Sequence, residues 1–410
     1  MKRFVAIAVL FLLSAITVNA RERFFQVQSI DTMKFSRDVA REKLTDPFYD
    51  KEIYTQVKNI AATGATHVAV ATPYDDEFIP FLTRWVTAAR TYHLNVWFRG
   101  NFSGWEGWFD YPKIDRRTHL EKTIAFITKN PRLFEDGDIF TACPECENGG
   151  PGDPRQTQDY SGFKSFLIEE NNVVQKTFQK IGKKVTTNYY SMNGDVANAI
   201  MNKETTAALG GVVTVDHYVS KTTKLVTDLK KFANQSGGSV VLGEFGAPIP
   251  DLQGEMTETE QAVWIKNTLS SLVTVPQLIS VNYWTNKGSS TELWNEDNSP
   301  KKAVKALTEY YTPYNLTGTV RDAAGTPLNG ATVQGVERKT STQNGHYILP
   351  VLEGEMVKFS KDGYLPAMTV VSAHDSLDVQ RDIVLNKPYA SQAKNKIMEF
   401  FTYLQALFSR

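Results

Sequence analysis

The sequence predicts an α/β fold, a (β/α)₈ barrel followed by a small all-β sandwich and an amphipathic helical tail. Three observations carry that expectation. Eight short β-branched or aromatic runs alternate with amphipathic helical stretches between residue 24 and about residue 310, and strands alternating with helices imply a parallel sheet. No Gly-rich phosphate turn follows the first run, which leads instead into Ser29-Ile30-Asp31-Thr32-Met33-Lys34, so a closed barrel fits better than an open doubly wound sheet. Past Pro313 the texture changes to short alternating runs separated by Asn329-Gly330, Asn344-Gly345, Glu353-Gly354 and Asp362-Gly363, the residues of hairpin turns.

The chain opens with Lys2 and Arg3, an apolar run from Phe4 to Ile16, and small residues at Val18-Asn19-Ala20, the pattern of a cleavable export signal over 1–20. The run is short for a bilayer-spanning helix, which needs roughly 20 apolar residues. An uncleaved anchor is the weaker alternative. Export would place the protein outside the cell, in a periplasm or at a cell surface. Removing 1–20 takes 45 basic residues to 43 against 45 acidic ones, a balance of −2. Nothing in that balance suits nucleic acid, which calls for a basic face. With 41% hydrophobic and 11% aromatic residues, a large domain can pack without covalent staples.

The eight predicted strands are Phe24 to Ile30, His67 to Ala71, Asn95 to Arg99, Asp138 to Cys143, Lys183 to Asn188, Gly211 to Asp216, Ser239 to Glu244 and Ile279 to Trp284. Helical spacing places helices over Glu52 to Thr63 with Gly64 as C-cap, Phe78 to Tyr92, Arg116 to Lys129, Phe163 to Ile181, Thr222 to Asn234, Glu258 to Val273 and Lys301 to Tyr310. These bound a catalytic domain over 21–312, a sandwich over 313–386 and a tail over 387–410. In the tail Ile397, Phe400, Phe401, Leu404, Leu407 and Phe408 recur at helical spacing. Docking on protein is the favoured reading of that stripe, with membrane-surface attachment as the alternative.

Two carboxylates sit where an apolar run stops, Glu145 after Ile139-Phe140-Thr141-Ala142-Cys143-Pro144 and Glu244 after Val240-Val241-Leu242-Gly243. Strand ends of an eight-stranded barrel are where its chemistry is placed. Cleaving a glycosidic bond needs an acid to protonate the leaving oxygen and a carboxylate that attacks or activates water, and a separation of roughly 5 to 5.5 Å marks a retaining enzyme. Pyranose faces also pack on aromatic rings, and Trp97, Trp105, Trp108, Phe109 and Tyr111 crowd the end of the third strand and its loop. Tyr189, Tyr190 and Trp294 extend the cleft on the same argument, although burial in the core explains any one of these rings equally well.

Together, the strand-four ending in Glu145, Val215-Asp216-His217-Tyr218, Gly243-Glu244-Phe245-Gly246 and Asn282-Tyr283-Trp284 resemble the cellulase-type (clan A) barrel glycosidases, which retain configuration and carry catalytic glutamates after strands four and seven. The resemblance covers the barrel. It implies Glu145 as acid/base, Glu244 as nucleophile, His217 or Tyr218 as a hydrogen-bond partner near the nucleophile, and Trp284 as the floor under the sugar. Arg99, closing strand three, would hold the nucleophile ionised. Trp105 and Asn188 complete the expected substrate contacts. One departure is Pro144 where the clan has Asn before its acid/base, and Glu147 with Asn148 behind it is a competing acid.

Cys143 and Cys146, the chain's only cysteines, flank Glu145. A local disulfide or buried thiols shaping the strand-four loop is favoured over a redox pair. Asp31, Asp75, Asp76 and Asp216 lie near strand ends without any fixed ligand spacing, so they read as polar loop residues; no metal and no cofactor is predicted. Gly318-Thr319-Val320-Arg321-Asp322, Gly330-Ala331-Thr332-Val333 and Thr342-Gln343-Asn344-Gly345-His346-Tyr347 resemble the carboxypeptidase regulatory-type, prealbumin-like sandwich, which implies an accessory module. The functional expectation is an exported glycosidase acting on a β-linked oligo- or polysaccharide, with a bell-shaped pH profile whose acid limb is the ionisation of Glu244. The alternative is a non-catalytic carbohydrate-binding or adhesion protein on a glycosidase-like barrel. A serine hydrolase is disfavoured because no Gly-x-Ser-x-Gly turn occurs.

Overall fold

A computed structural model describes residues 22–336, 338–372, 376–388 and 398. The expected signal at 1–20 and nearly all of the expected tail over 387–410 lie outside the described residues. Eight parallel strands form the first unit: β1 (Val27–Asp31), β2 (His67–Val70), β3 (Asn95–Phe98), β4 (Ile139–Phe140), β5 (Ser191–Asn193), β6 (Val212–Asp216), β7 (Ser239–Phe245) and β8 (Leu278–Tyr283). Their order is β4-β3-β2-β1-β8-β7-β6-β5. A parallel bridge between Ile139 and Thr186, with Phe140 N donating to Thr186 O at 2.8 Å, closes the sheet into a cylinder. The predicted (β/α)₈ barrel is therefore present.

The strands are buried on both faces, which is why they read as runs rather than as alternation. Val27, Ala69, Trp97, Ile139, Tyr189, Val212 and Val241 fill the barrel interior, while the larger apolar cluster lies between strands and helices. Helix starts follow local chemistry: Asp115 caps Arg116–Lys129, and Thr257 with Glu260 forms a capping box on Glu258–Leu272. Gly64 sits at φ 81° after the helix Asp50–Ala62, where a Cβ would lie 2.1 Å from Thr312, so the C-cap demands glycine.

The fifth strand departs from expectation. Within Lys183 to Asn188 only Thr186 makes a strand bridge, and pairing with β6 runs instead through Ser191–Asn193. Tyr189, beyond the predicted end, turns into the interior, edge-on to Trp97 at 5.4 Å with its hydroxyl 2.8 Å from Ser280 Oγ. Two short helices, Gly194–Ile200 and Lys203–Ala208, follow β5 and had no sequence counterpart.

The second unit has strands β9 (Tyr314–Asp322), β10 (Thr332–Gln334), β11 (Lys339–Ser341), β12 (His346–Val351), β13 (Met356–Ser360), β14 (Ala367–Val370), β15 (Asp378–Gln380) and β16 (Ile383–Leu385). One sheet runs β11-β10-β13-β14, the other β12-β9-β15 with β16 also on β9. Between them Leu316, Val320, Val333, Leu349, Val357 and Phe359 form a separate core.

Candidate active site

Parallel strands bring their C-terminal ends to one rim. Asp31 ends β1, Arg99 follows β3, Asp216 ends β6, Glu244 is the penultimate residue of β7, and Asn282 lies near the end of β8. The register between β6 and β7 slips here, from Val215 opposite Leu242 to Asp216 opposite Glu244, so Gly243 is an extra residue in β7. Such a bulge re-aims a neighbouring side chain. A Cβ on Gly243 would stand 2.3 Å from Asp216 Oδ1, so only glycine lets the two approach. The Gly243 carbonyl accepts from Arg99 and, at 2.9 Å, from Asn282 Nδ2.

Arg99 organises this rim. Its guanidinium is 1% exposed and donates at 2.9 Å to both Asp216 and Glu244, with Asp31 at 3.5 Å. Burial works against its charge, but Asp216, Glu244 and Asp31 outweigh that and raise its pKa. One cation cannot neutralise three carboxylates, so protons stay in the cluster. Burial pushes Asp216 well above the usual carboxylate range and also raises Asp31. Arg99 stands at 2.9 Å from Asp216 and from Glu244 alike, so the two acids share its charge. Burial lifts Glu244 to about 7, with Arg99 pulling down, Glu145 and Asp31 pushing up, and the Tyr218 hydroxyl pulling down. Tyr218 donates to Glu244 Oε2 at 2.9 Å and meets the Trp284 ring edge-on at 6.1 Å.

Across the mouth, the facing side of this rim is built differently. After β4 the chain makes a disulfide-closed turn, Cys143 to Cys146, and Glu145 within it sits at φ 42°, a backbone rarely held by a non-glycine residue. Glu145 N donates to Ser191 O at 2.8 Å, and Glu145 O accepts from Asn148 N at 2.7 Å. Its side chain is half-buried, and its charge acts on Arg99, Asp216 and Glu244. Glu147 is 1% exposed. Its Oε1 accepts from the backbone and side-chain amides of Asn193 at 2.6 and 3.0 Å, while Oε2 is buried without a partner. Burial, helped by Glu145, raises Glu147 to about 7. Glu106 accepts from Asn101 at 2.7 Å and is pushed by burial, again with Glu145 contributing, to about 8. Of the two candidate acids, Glu145 is thus the one whose charge is felt by Glu244, and Glu147 is tied to the end of β5.

Five expectations need correction. His217 points away from Glu244 and binds Asp228 at 2.8 Å, because neighbouring strand residues face opposite ways and Asp216 and Tyr218 take the inner side. Trp105 is 1% exposed, stacked on Phe166 at 5.3 Å with its indole N–H on Cys146 O, so it plugs the space under the disulfide turn. Asn188 bonds Gly210 O at 2.9 Å and lines a cavity of about 540 Å³ with Lys183, Thr186, Val212 and Ile279 at the N-terminal end of the strands, away from the glutamates. Tyr189 belongs to the interior, and Tyr190 and Trp294 are buried in the outer core. Asp31 and Asp216, read as loop polar residues, are strand-end members of the Arg99 cluster; the rule that found Glu244 would have found both.

Asn193, Ser191 and Glu106 were missed. The first two follow from the misplaced fifth strand, and Glu106 lies in a loop with no periodic signal. Among the described residues Cys143, Cys146 and Glu170 are the grouping with metal-ligand spacing, and both sulfurs are spent in the disulfide.

No family model matches the sequence, and no curated protein matches it either. Solved structures do. A GH5_18 protein of Bifidobacterium longum subsp. longum, a substituted form in complex with Manβ1-4GlcNAc, superposes at TM-score 0.52 and 14% identity, covering 76% of this chain and 86% of that one. A substituted GH5_18 protein of Streptomyces cattleya with the same disaccharide superposes at 0.51 and 14%, covering 73% and 85%. A Bacteroides uniformis β-glucuronidase 2 matches at 0.48 and 10%, over 87% of this chain; this chain spans about half, 46%, of that one. At these identities the likeness is one of fold, the (β/α)₈ barrel that the two GH5_18 proteins share with this chain.

Proposed function

We propose that this chain is an exported glycoside hydrolase that cleaves a β-linked oligo- or polysaccharide with retention of configuration. The carrying observation is the arrangement at the mouth: Glu244, aimed by the Gly243 bulge and held by Arg99 and Tyr218, under the charge of Glu145 from the facing side. The sugar stacks on Trp284. A Glu244 carboxylate oxygen attacks the anomeric carbon while the bond to the leaving oxygen breaks and Glu145 gives that oxygen its proton, leaving a glycosyl ester on Glu244. Water then passes a proton to the Glu145 carboxylate and attacks the same carbon. The ester breaks, Glu244 regains its carboxylate, and Glu145 is again the acid. Arg99 and Tyr218 lower the cost of the Glu244 charge, and no step calls for a cofactor or metal. Residues 313–386 are read as an accessory module and 1–20 as the export signal.

The test is a panel of 2-fluoro glycoside inactivators with peptide mass spectrometry, beside turnover of aryl β-glycosides and plant or microbial glycans. A label on Glu244 and β product formed first by NMR support the proposal. A label on another carboxylate, or binding without turnover in wild type and Glu244→Gln alike, would replace it with the carbohydrate-binding alternative.

A further inference from the structure

We infer that the cleft takes a sugar bearing a negative charge, a carboxylate or a sulfate, met by Lys34 and Arg37 on the segment that follows β1. This rests on the glycosidase reading only for where the sugar lies.

The segment Met33–Ser36 leaves β1 directly after Asp31, so it stands at the same rim as the glutamates. Lys34 Nζ lies 6.0 Å from the centre of the Trp284 ring. Arg37 lies over the Trp108 ring at 4.6 Å. The two cations thus accompany the two half-buried tryptophans at this end of the barrel, one at the close of β8 and one in the loop after β3. The Arg37 charge acts on Asp31 and Glu106, so it faces the rim as well as solvent. Both cations share a single carboxylate, Asp38, at 3.0 Å from Lys34 and 2.8 Å from Arg37.

Two cations therefore meet one carboxylate beside the sugar platforms. The buried acids of this rim are engaged elsewhere: Asp31 accepts from Met33 N at 2.7 Å and from Asn282 at 3.2 Å, and Glu106 accepts from Asn101 at 2.7 Å. Nearby cations are committed elsewhere, Arg99 to its carboxylates, Arg41 to Glu77, and Lys287 to Glu52. Lys34 and Arg37 keep 32% and 21% of their side chains exposed, enough to meet a ligand and too much to be core. A neutral sugar uses rings and neutral polar groups and has no need of such cations, whereas an anionic one gains charge-assisted hydrogen bonds from them.

Calorimetric titration of the Glu244→Gln protein tests this without turnover, using three β-linked oligosaccharides of one backbone: neutral, carrying uronate, and carrying sulfate. The expected result is about tenfold tighter binding of one anionic member than of the neutral one. Added salt should erode that preference, Lys34→Met with Arg37→Met should abolish it, and Arg37→Lys should retain part of it. Circular dichroism confirms folding of each variant. Equal or tighter binding of the neutral member, a preference that survives the double substitution, or no binding of any member would overturn the inference. Labelling of Glu244 by a neutral fluorosugar without anion preference would defeat this inference alone; anion preference without labelling would defeat the hydrolase reading and leave the subsite standing.

Discussion

The two sides of the barrel mouth are built by opposite means. On one, Arg99, Asp216, Glu244 and Asn282 stand at the ends of regular strands, and a single bulge at Gly243 sets their relation. On the other, β4 ends at Phe140, and Glu145 is presented five residues later on a left-handed backbone inside a disulfide-closed turn tied to Ser191 and Asn193. The Glu244 side is fixed by sheet register and a buried ion cluster. The Glu145 side is fixed by loop geometry and a covalent clip. Damage to the first should therefore appear in charge state and stability together, and damage to the second in proton delivery with little change in folding.

The largest effect expected from this contrast is at Glu244. Glu244→Gln should lower kcat/KM by about 10⁴-fold or more, since the residue proposed to form the covalent intermediate has no substitute. Its stability effect should carry a sign. Folding raises the Glu244 pKa from 4.5 to about 7, so the folded state binds this proton more tightly and ionised Glu244 costs stability. That cost is absent below about pH 4.5 and full above about pH 7. Thermal melts of Glu244→Gln should accordingly show stabilisation of about 2 kcal/mol at pH 8 that fades towards pH 5. A variant less stable than wild type at pH 8 would mean that Arg99 needs the charge more than the cluster resents it.

Next comes the choice of acid. Glu145→Gln should reduce kcat/KM by about 10²- to 10⁴-fold on glycosides with poor leaving groups and far less on activated aryl glycosides, whose first step needs little protonation, while kcat on the activated substrates falls because water loses its base in the second step. Glu147→Gln should cost only about tenfold on both classes, by loosening the bond to Asn193. Leaving-group-dependent kinetics that followed Glu147 rather than Glu145 would reverse the assignment. The disulfide should act in the same sense but more weakly. Cys143→Ser with Cys146→Ser should lower kcat by about tenfold through misplacement of Glu145. A loop this short contributes only about 2 kcal/mol to folding, so the melt should change little while the rate changes clearly.

The same contrast explains what could be read from the chain. Strand ends in Val212–Asp216 and Ser239–Phe245 are apolar runs closed by an ionisable residue, and their burial on both faces makes the pattern visible without partners. Glu244 and Arg99 were read in this way, as was the alternation of eight strands, whereas Tyr218 and Trp284 came from the family resemblance. Asn193 escaped because Lys183 to Asn188 is a better β-branched run than Ser191–Asn193; the true pairing is chosen by β6 across the barrel, which no local window contains. Trp105 misled because an aromatic ring fits a core and a sugar platform equally well, and only Phe166, distant in sequence, decides between them. His217 misled by one step of alternation. Glu106 and the left-handed setting of Glu145 depend on a loop whose shape periodicity cannot encode.

The smallest expected effect is the most discriminating between the two sides. Tyr218→Phe removes one hydrogen bond to Glu244 Oε2 without altering volume appreciably. That bond favours the carboxylate form, so its loss should push the Glu244 pKa further up from about 7. As the proposed nucleophile Glu244 works ionised, so the acid limb of kcat/KM should move to higher pH. Because the carboxylate charge that this bond favours is partly spent in the transition state, a loss of about 1 kcal/mol, roughly fivefold, is expected, greater at pH 6 than at pH 8. The basic limb, set on the other side, should stay in place. Movement of both limbs together would mean that the two sides titrate as one unit through the Glu145 charge, and the division between a register-built side and a loop-built side would then hold for structure but not for proton inventory.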